Sequence, residues 1–599
     1  MQRRTFLVSS GLSAAGVPAA ARAQPVKMLR YGFPVAETGF DPAQINDLYS
    51  RTIVANIFEA LYTYDFLARP VLLKPCTAAA MPEVADDFRV FTIRIRPGIF
   101  FADDPAFKGT KRELTAADYV YSIKRFFDPR TKSPLFNTFE RSGMLGMDEL
   151  RAEAVKTGRL DYDREVEGLR LLDRYTLRIR LASTKPRLVY LLADHALTGA
   201  VAREVVDFYG DTIMQHPVGT GPFRLAQWRR SSRMVLERNP DFRAEFYDEQ
   251  PAAGDRAAQE IAARLRGRRL PMVDRVEIYI VEESQPLWLA FLNGEHDLIT
   301  GVPQEFVSTA APNGILAPGL ARRGLRIDRQ VVSSIAFTYF NMDDPVVGGY
   351  GPQQVALRRA LSLAWDVGEE IRLQWHGQAV VAQGPMPPLT TGHDPAWVTG
   401  MNVFDRAQAK ALLDTYGFVD RNADGYRERP DGSPLVLELA SQADKRGRES
   451  QQLWKRNMDA IGIRMAFRYG QWPELLRQAR AGKMMMWQLG NSASSPDGGE
   501  FLDLAYGPNK GFGNFARFDL PAFNALHERQ SNLPDGPERN ALLREQVRLL
   551  VAYAPMKVRV HQVAIGMFQP WLTGYLRHPF LRGWWKFIDI DAAARAAQR

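Results

Sequence analysis

HPVGTGPFRLAQW at residues 216–228 and MVLERNPDF at residues 234–242 form the stretch that decides the fold. Two glycines flank a threonine and are followed by Pro222, so the backbone can adopt conformations closed to other residues before proline fixes φ at the exit. Short apolar runs stand on either side of the polar, basic connection at 229–233. This pattern predicts a tight bend and then a β-hairpin that feeds a larger sheet.

The Gly-Thr-Gly segment at 219–221 could also suggest a phosphate-binding loop. Such a loop needs a following Gly-Lys-Ser/Thr and free backbone amides, whereas no such triplet follows here and Pro222 has no amide hydrogen. The segment is therefore interpreted as a structural turn.

The run PVGTGPF, then a tryptophan, then LERNPDF resembles the signature of the family 5 extracellular solute-binding proteins of ABC importers, which include oligopeptide- and dipeptide-binding proteins. Other segments resemble the same family in the same order. They are PGIFF followed by LTAADYVYSIKRFFDP within 97–129, GEHDLI at 294–299, and FN followed by VALRRALSLAWD within 340–366. One departure is Val367, which replaces the arginine that usually follows the aspartate.

The resemblance, from about Leu29 to Asp589, implies the fold. It implies an α/β, two-lobed periplasmic-binding-protein fold of the type II-like kind, with hinged lobes and an extra inserted subdomain. Strand and helix patterns mixed throughout the chain favour the α/β class independently. The implied division assigns 24–55, 211–334 and 561–599 to lobe I, 56–210 to the inserted subdomain and 335–560 to lobe II.

Local patterns predict individual elements. Residues Ser50 to Leu61 have the apolar spacing of a helix, and Thr115 and Asp118 have the spacing of a capping box ahead of another helix. The polar segment 243–270 is interpreted as a surface insertion, in which a portion at 257–266 forms a solvated helix.

Size and composition limit the possible domain organisation and the possible partners. At 599 residues and 67.5 kDa, the chain is too long for one hydrophobic core. The net charge of +9 falls to +6 without Arg3, Arg4 and Arg22, and no compact basic motif is present, so nucleic acid is not an expected partner. The single cysteine, Cys76, permits no internal disulfide and is expected to be a buried, inert thiol.

The amino terminus resembles an export signal over residues 1–23. Two adjacent arginines precede a weakly apolar stretch, and Ala21-Arg22-Ala23 is a small-x-small cleavage site. The arginine pair favours a twin-arginine signal cleaved before Gln24, although a general secretory signal could also contain two arginines. Because Gln24 is not cysteine, a lipid anchor on the new terminus is not supported, and a soluble periplasmic protein is expected.

Catalytic motifs are not found in the sequence. It contains no Gly-x-Ser-x-Gly with its partners, no His-Glu-x-x-His and no paired zinc spacing, so no enzyme activity and no cofactor are expected. One metal pattern remains: Asp420, Asn422, Asp424, Gly425 and Asp431 have the spacing of a calcium-binding EF-hand loop. The alternative is a tight turn that binds no ion, which the family often carries.

The ligand-binding region is expected around 484–497. In peptide-binding members of the family a strand there ends in Trp-x-x-Asp, where the tryptophan lines the cleft and the aspartate pairs with the peptide's amino terminus. Trp487 matches the tryptophan, but the aspartate position falls on Asn491 or Ser492, so the charged partner is missing. Asp497 is a candidate substitute, and recognition of a free amine is in doubt.

Other candidates are placed by the resemblance alone. Asn46 and Leu48 match an edge that in relatives offers backbone hydrogen bonds to an extended peptide. Arg559 and His561, in a returning strand, could face the cleft. Each could equally be ordinary lobe surface.

The expected function is solute capture by lobe closure for an ABC importer, with a peptide or peptide-like solute and with permease and ATPase subunits as partners. The protein is expected to be a monomer. A solute-sensing protein for a membrane receptor would need the same cleft and remains open. An exported hydrolase would need a nucleophile, and none is found.

Overall fold

The computed structural model describes residues 26–598. The predicted signal segment and its cleavage site near Ala23 lie outside these residues. The strands are β1 Met28–Phe33, β2 Tyr62–Tyr64, β3 Leu73–Pro75, β4 Glu83–Ala85, β5 Val90–Arg94, β6 Leu169–Asp173, β7 Thr176–Arg180, β8 Phe223–Arg229, β9 Arg233–Arg238, β10 Glu245–Phe246, β11 Arg269–Leu270, β12 Arg275–Ile280, β13 Leu298–Ile299, β14 Arg326–Val331, β15 Ser334–Phe340, β16 Ala379–Val381, β17 Val436–Ser441, β18 Arg464–Tyr469, β19 Met486–Ser492, β20 Met556–Phe568, β21 Leu572–Thr573 and β22 Asp589–Ile590.

Helices alternate with these strands, as the mixed patterns predicted. They are α1 Leu48–Val54, α2 Ala116–Phe127, α3 Phe136–Glu140, α4 Met147–Thr157, α5 Leu188–Leu191, α6 His195–Thr198, α7 Arg203–Tyr209, α8 Arg256–Leu265, α9 Ser284–Leu292, α10 Gln304–Ala310, α11 Pro318–Arg322, α12 Pro352–Ala364, α13 Val367–Leu373, α14 Arg406–Thr415, α15 Lys445–Asp459, α16 Trp472–Arg480, α17 Pro521–Asn532, α18 Pro537–Tyr553 and α19 Ala592–Ala597. None of the helices within 26–598 has both the length and the apolar character that crossing a bilayer requires.

A 12-stranded mixed sheet organises the chain. Its main path runs β18-β17-β19-β15-β20-β13-β1-β12-β9-β8, and β14 and β16 both pair with β20 off this path. Two apolar cores built from residues between 335 and 560 surround the β15–β19 part of the sheet. The β1–β12 part has a separate core, drawn from distant segments of the chain.

The hairpin predicted from the opening stretch is confirmed as β8 and β9, which pair antiparallel with a bulge between Leu225 and Gln227. The reason for the two glycines is different from the one expected. Neither Gly219 nor Gly221 has a positive φ. Instead, a Cβ at either position would lie 2.1 or 2.5 Å from the carbonyl oxygen of Ile57. The glycines therefore permit a close approach of two backbone segments rather than a special turn conformation.

The same approach explains why α1 is shorter than the helix predicted over 50–61. The helix ends at Val54, and carbonyls of the next residues accept hydrogen bonds from the opening stretch: Gly221 N donates to Ile57 O at 2.8 Å and Phe223 N donates to Asn56 O at 3.2 Å. A continued helix would use these carbonyls internally, so the pairing with the opening stretch and a longer α1 exclude each other.

Beside this junction lies a buried carboxylate, Glu59. It accepts hydrogen bonds from Thr220 Oγ1 at 3.0 Å and Arg243 Nη1 at 2.7 Å, and Cys76 Sγ donates to it at 3.5 Å. Burial raises the pKa of the Cys76 thiol to about 12, and the neighbouring Glu59 adds to the increase. Cys76 is therefore buried and unreactive, as predicted.

The segment 243–270 is not the solvated insertion that its polarity suggested. Arg243 pairs with Glu59, Glu245 accepts from Lys586 Nζ at 2.6 Å, and Glu249 accepts from Lys74 Nζ at 2.6 Å. Burial alone would raise the pKa of Glu245, but Lys586 and Arg243 more than offset this and lower it to about 2. The charges of this segment hold together distant parts of the chain.

Helix α8, within the same segment, has one buried face. Ala258, Ala262 and Leu265 are buried in the large core that also contains Leu270 and Phe587. The spacing i, i+4, i+7 of small and apolar residues is that of an amphipathic helix, although the polar composition of the segment hid this pattern.

The capping box predicted at Thr115, at the start of α2, is confirmed, since Thr115 N donates to Asp118 Oδ2 at 2.7 Å.

The close approach at Gly219 yields a stability prediction. Gly219→Ala would place a Cβ against the Ile57 carbonyl, which belongs to buried backbone and cannot turn aside, so the free energy of unfolding should fall by about 3 kcal/mol. Urea unfolding measures the change. Gly301→Ala is the control, because a Cβ there meets no atom within 4 Å and the φ is not left-handed. Equal unfolding midpoints for the two variants would contradict the account.

Candidate functional site

A cavity of about 320 Å³ opens over the β15–β19 part of the sheet. Its floor is formed by residues 334–336 of β15, 440–442 at the end of β17 and 487–492 of β19. Residues from α13, from the beginning of α15, from α16 and from β20 form its walls. Every lining residue belongs to the span 334–562.

A buried ion pair forms one wall. Arg559 Nη1 donates to Glu370 Oε1, and the two side chains are 5% and 0% exposed. Glu370 also accepts from Trp365 Nε1 at 2.8 Å and from Trp375 Nε1 at 3.2 Å. Three donors thus compensate the desolvation of the carboxylate, which an ion pair alone often does not.

A β-bulge positions Arg559. Ala336 of β15 pairs with Val560, and the next residue, Phe337, pairs with Val558, so Arg559 is the extra residue of β20. A bulge re-aims the side chain that it contains. Burial lowers the pKa of the Arg559 guanidinium and the nearby Glu370 opposes this, but an arginine stays charged at physiological pH.

Lys557, two residues earlier in β20, is also buried. Its Nζ donates to the carbonyl oxygens of Ser362 at 2.7 Å and Met401 at 3.1 Å. Burial lowers the pKa of Lys557 to about 7; Glu370 opposes the shift and Arg559 adds to it. This lysine does not line the cavity and holds together the elements behind it.

Trp487, the predicted aromatic residue, lines the cavity and is only 2% exposed. Its ring centroid lies 5.0 Å from that of Trp472, a half-exposed residue at the start of α16 that also lines the cavity. Gln488, the residue after Trp487 in β19, contacts Ser450 Oγ. When its amide oxygen faces the surrounding donors, Gln488 accepts hydrogen bonds from Trp454 Nε1 at 2.7 Å and Arg559 Nη1 at 3.2 Å.

Asn491 and Ser492 also line the cavity, where they pair with Ile335 and Ser334 across β15 and β19. The structure therefore brings both next to Trp487. Neither side chain carries a charge that could pair with an ammonium group.

Asp497 lies outside the cavity. Its carboxylate pairs with Arg187 Nε at 2.9 Å and with Arg539 Nη2 at 2.6 Å, and it accepts from Gly499 N at the start of a 3₁₀-helix. Two arginines already neutralise this carboxylate, so it does not stand free for a ligand amine.

The remaining predicted residues are distributed elsewhere. Asn46 is exposed and Leu48 is the first residue of α1 behind its N-cap Asp47, so neither lies in a strand, and neither lines this cavity. His561 is buried outside the cavity; its Nδ1 donates to the Ser334 carbonyl at 3.0 Å, and its ring lies 5.9 Å from that of His393.

The calcium pattern is partly assembled. Carboxylate oxygens of Asp420, Asp424 and Glu428 lie within 4.8 Å of one another. Asp431, predicted as the final ligand, instead accepts from Ser433 N at 2.9 Å and caps its own turn, while Asp424 pairs with Arg464 at 3.0 Å. The Asn422 side chain accepts from Asp424 N at 2.9 Å. These internal bonds are those of the tight turn that was the alternative interpretation.

Sequence reasoning missed Glu370, Gln374, Trp375, Arg446 and Trp472, all of which line the cavity. A signal existed for the first of them. The run Met-Lys-Val-Arg-Val at 556–560 places two cations in an apolar strand, and buried cations require a partner. Nothing in the sequence identified α13 as the helix that supplies it.

Known proteins that are similar to this chain include solute-binding proteins. The family described as bacterial extracellular solute-binding proteins, family 5 middle, matches residues 73–513. The di/tripeptide-binding protein 2 of Pseudomonas aeruginosa (strain UCBPP-PA14) is 24% identical over 97% of this chain and 98% of its own. The probable deoxycholate-binding periplasmic protein YgiS of Escherichia coli (strain K12) is 25% identical over 96% of this chain and 95% of its own.

Among solved structures, the periplasmic binding protein DppA of Helicobacter pylori, in complex with the peptide STSA, matches with a TM-score of 0.67. It is 19% identical, and the match covers 94% of this chain and 98% of that one. The fold is therefore the two-lobed, type II-like periplasmic-binding-protein fold that the resemblance implied. The family model and the fold together define a solute-binding protein. The chain belongs to family 5 of the bacterial extracellular solute-binding proteins.

Acid should destabilise the protein through His561. Burial lowers the pKa of its imidazole to about 4, whereas histidine in an unfolded chain titrates near 6.5. The unfolded state therefore takes up the proton first, so the stabilisation is complete above pH ~6.5 and is lost as the pH falls toward ~4.

Urea unfolding at pH 7.5 and 4.5 measures this loss. The contribution of His561 should be about 2–3 kcal/mol between these values, and His561→Asn, which keeps a donor for Ser334, should lose that much less stability on acidification. His376→Asn is the control at an exposed histidine. The same pH dependence in wild type and His561→Asn would contradict the assignment.

Proposed function

We propose that this protein is the periplasmic substrate-binding subunit of an ABC importer that captures a peptide or peptide-like solute and delivers it to a membrane permease. The observation that carries the proposal is the cavity over the sheet that is bordered by three tryptophans, Trp375, Trp472 and Trp487. Aromatic walls with a few polar groups are typical of small-molecule sites. Permease and ATPase subunits are the proposed partners, and the protein acts as a monomer.

Export places the protein where such a solute is met. A twin-arginine signal over residues 1–23, cleaved near Ala23, would deliver it to the periplasm. The name of the deoxycholate-binding relative includes that location. The names of the two relatives, one for di- and tripeptides and one for deoxycholate, support a solute with both apolar and polar surface.

Capture proceeds by closure of two lobes. We assign 24–55, 211–334 and 561–599 to lobe I, 56–210 to an inserted subdomain and 335–560 to lobe II. Support for this division comes from the two cores confined to 335–560. The long strand β20 joins the last lobe II residues to the returning part of lobe I.

In this structure Arg187 and Tyr190 of the inserted subdomain contact lobe II. Arg187 Nη1 donates to the Leu533 carbonyl at 2.8 Å, Nη2 donates to the Ser531 carbonyl, and Nε pairs with Asp497 at 2.9 Å. Tyr190 OH donates to Asp535 Oδ2 at 3.2 Å beside it. These contacts favour the closed arrangement.

The identity of the solute is tested by native mass spectrometry of protein exported to the periplasm of a bacterial host. A co-purified small molecule that is lost on mild unfolding, and whose mass fits a short peptide or a derivative of one, supports the proposal. Protein that is ligand-free and binds no member of a random di-, tri- and tetrapeptide pool contradicts it.

Two tryptophans of the cavity should have different effects on the complex: Trp472 should contribute to affinity and Trp487 to the fluorescence change. Trp472→Ala should weaken binding of a pool peptide by about tenfold, because the exposed ring that packs on Trp487 is removed from the cavity wall. Trp487→Phe should keep the affinity within about threefold and remove most of the fluorescence change on binding. Trp397→Ala, at a tryptophan outside this cavity, is the control. Unchanged affinity in Trp472→Ala would place the solute elsewhere.

Removing the lobe contact should open the unliganded protein. Arg187→Ala loses three bonds to lobe II, so small-angle X-ray scattering should give a larger radius of gyration than wild type, and peptide affinity should fall about threefold or more. Arg180→Ala, which removes an exposed pair with Glu167 inside the subdomain, should change neither quantity. An identical radius in Arg187→Ala would show that this contact does not hold the lobes together.

A further inference from the structure

Within the described residues, the wall of the cavity contains hydrogen-bond donors without a partner, and its buried carboxylate, Glu370, has no free oxygen. Both oxygens of Glu370 are occupied by Arg559 and two tryptophans. Asp444, the other acid that lines the cavity, accepts from Gly447 N at 2.6 Å as the N-cap of α15. The buried Glu370 therefore has no oxygen left for a ligand ammonium group, whereas the exposed Asp444 uses only Oδ1 for its cap.

Two donors in the cavity wall have no partner within residues 26–598. They are Arg559 Nε and Gln374 Nε2, on side chains of residues that are 4% and 7% exposed. Both residues line the cavity. A buried donor without an acceptor is costly, and native proteins rarely keep one unless a ligand supplies the acceptor.

A third donor stands at the mouth of the cavity. The Arg446 guanidinium carbon lies 4.5 Å from the ring centroid of Trp375, and the side chain is exposed. In the described part of the chain, no carboxylate lies within ion-pair distance of it. Arg446 belongs to the first turn of α15, a helix of 15 residues, where the helix dipole also favours negative charge.

We propose that the cavity binds an anionic oxygen group of the solute, a carboxylate or a phosphate, through Arg559, Gln374 and Arg446, and that it does not select for a free amino group. This rests on the proposed function and narrows its substrate class. Any peptide with a free anionic group is then a ligand, even if its amino terminus is blocked or modified. Other solutes with one anionic end are ligands as well.

Peptides with modified ends test the selection directly. Random tripeptides are prepared in free, N-acetylated, C-amidated and doubly blocked forms, and isothermal titration calorimetry gives the affinity of each pool. N-acetylation should change the affinity less than about threefold, whereas C-amidation should weaken it about tenfold or more, the loss expected for a charge-assisted hydrogen bond. Equal binding of amidated and free pools, or loss of binding on acetylation, would overturn the inference.

A separate arm uses small ions and does not depend on peptide transport. Succinate, inorganic phosphate and the dication putrescine are compared by thermal shift. If only succinate raises the unfolding temperature, the anionic group of the solute is a carboxylate. If only phosphate raises it, that group is a phosphate. Putrescine is expected to have no effect. If no peptide pool binds but an anion does, the peptide function fails and this inference stands. Stabilisation by putrescine, or by none of the three, would overturn it.

Matched variants locate the effect. Arg446→Gln should weaken binding of the anion that stabilises wild type about threefold to tenfold. Arg448→Gln, on the same helix but outside the cavity, should not. Gln374→Leu removes one unpartnered donor without adding charge and should weaken binding about threefold while leaving the unfolding temperature of the free protein unchanged or higher. Equal anion binding in wild type, Arg446→Gln and Gln374→Leu would overturn the assignment.

A reversal variant tests the missing carboxylate. A Cβ at Gly490 would meet only the Ile335 carbonyl, at 3.7 Å, and the backbone there is not left-handed, so Gly490→Asp fits in the cavity floor. It should weaken binding of N-acetylated peptides and improve the relative binding of peptides with a free amino group about tenfold. If the preference between these pools stays as in wild type, the polarity of the cavity does not select the ligand.

Discussion

The structure depends on one strand, β20, which holds the two halves of the sheet in register. Over residues 563–568 it pairs with β14, and through its last two residues also with β13. Over residues 556–562 it pairs with β15 and β16. A thirteen-residue strand that is hydrogen-bonded along both halves cannot shift in register without breaking both, so the position of the cavity follows from this pairing.

The cavity wall is a consequence of an irregularity in that strand. Arg559 occupies the bulge, and its charge requires Glu370 from α13, which in turn orients Trp365 and Trp375 through their indole nitrogens. The aromatic surface and the ion pair are thus one network. Removing either charge would leave the other buried and unpaired, and such a change is far more damaging than loss of the contact itself.

Features that depend on residues close in sequence could be predicted, and features that depend on residues distant in sequence could not. Local patterns gave the β8–β9 hairpin and the capping box at Thr115, because each depends on neighbouring residues. Trp487 was expected from the resemblance to a family and not from a local pattern. The purpose of Gly219 was misjudged, since the carbonyl that it approaches, that of Ile57, is more than a hundred residues away. The burial of charges in 243–249 was missed for the same reason: their partners, such as Lys586, come from distant segments.

Asp497 was expected to contact the ligand, but it forms a contact between two parts of the chain. Sequence position made it the candidate partner for a ligand amine, but its pairing with Arg187 and Arg539 places it in a contact between the proposed inserted subdomain and the proposed lobe II. The residues that line the cavity belong to 335–560, the proposed lobe II, apart from Ser334 and Gln562 at its two boundaries. A solute confined to the cavity would bind open and closed forms equally and would shift no population. The free energy that favours closure must then come from the Arg187 contact, or from a solute long enough to extend beyond the cavity to lobe I, and only the second makes closure a signal that the solute is bound.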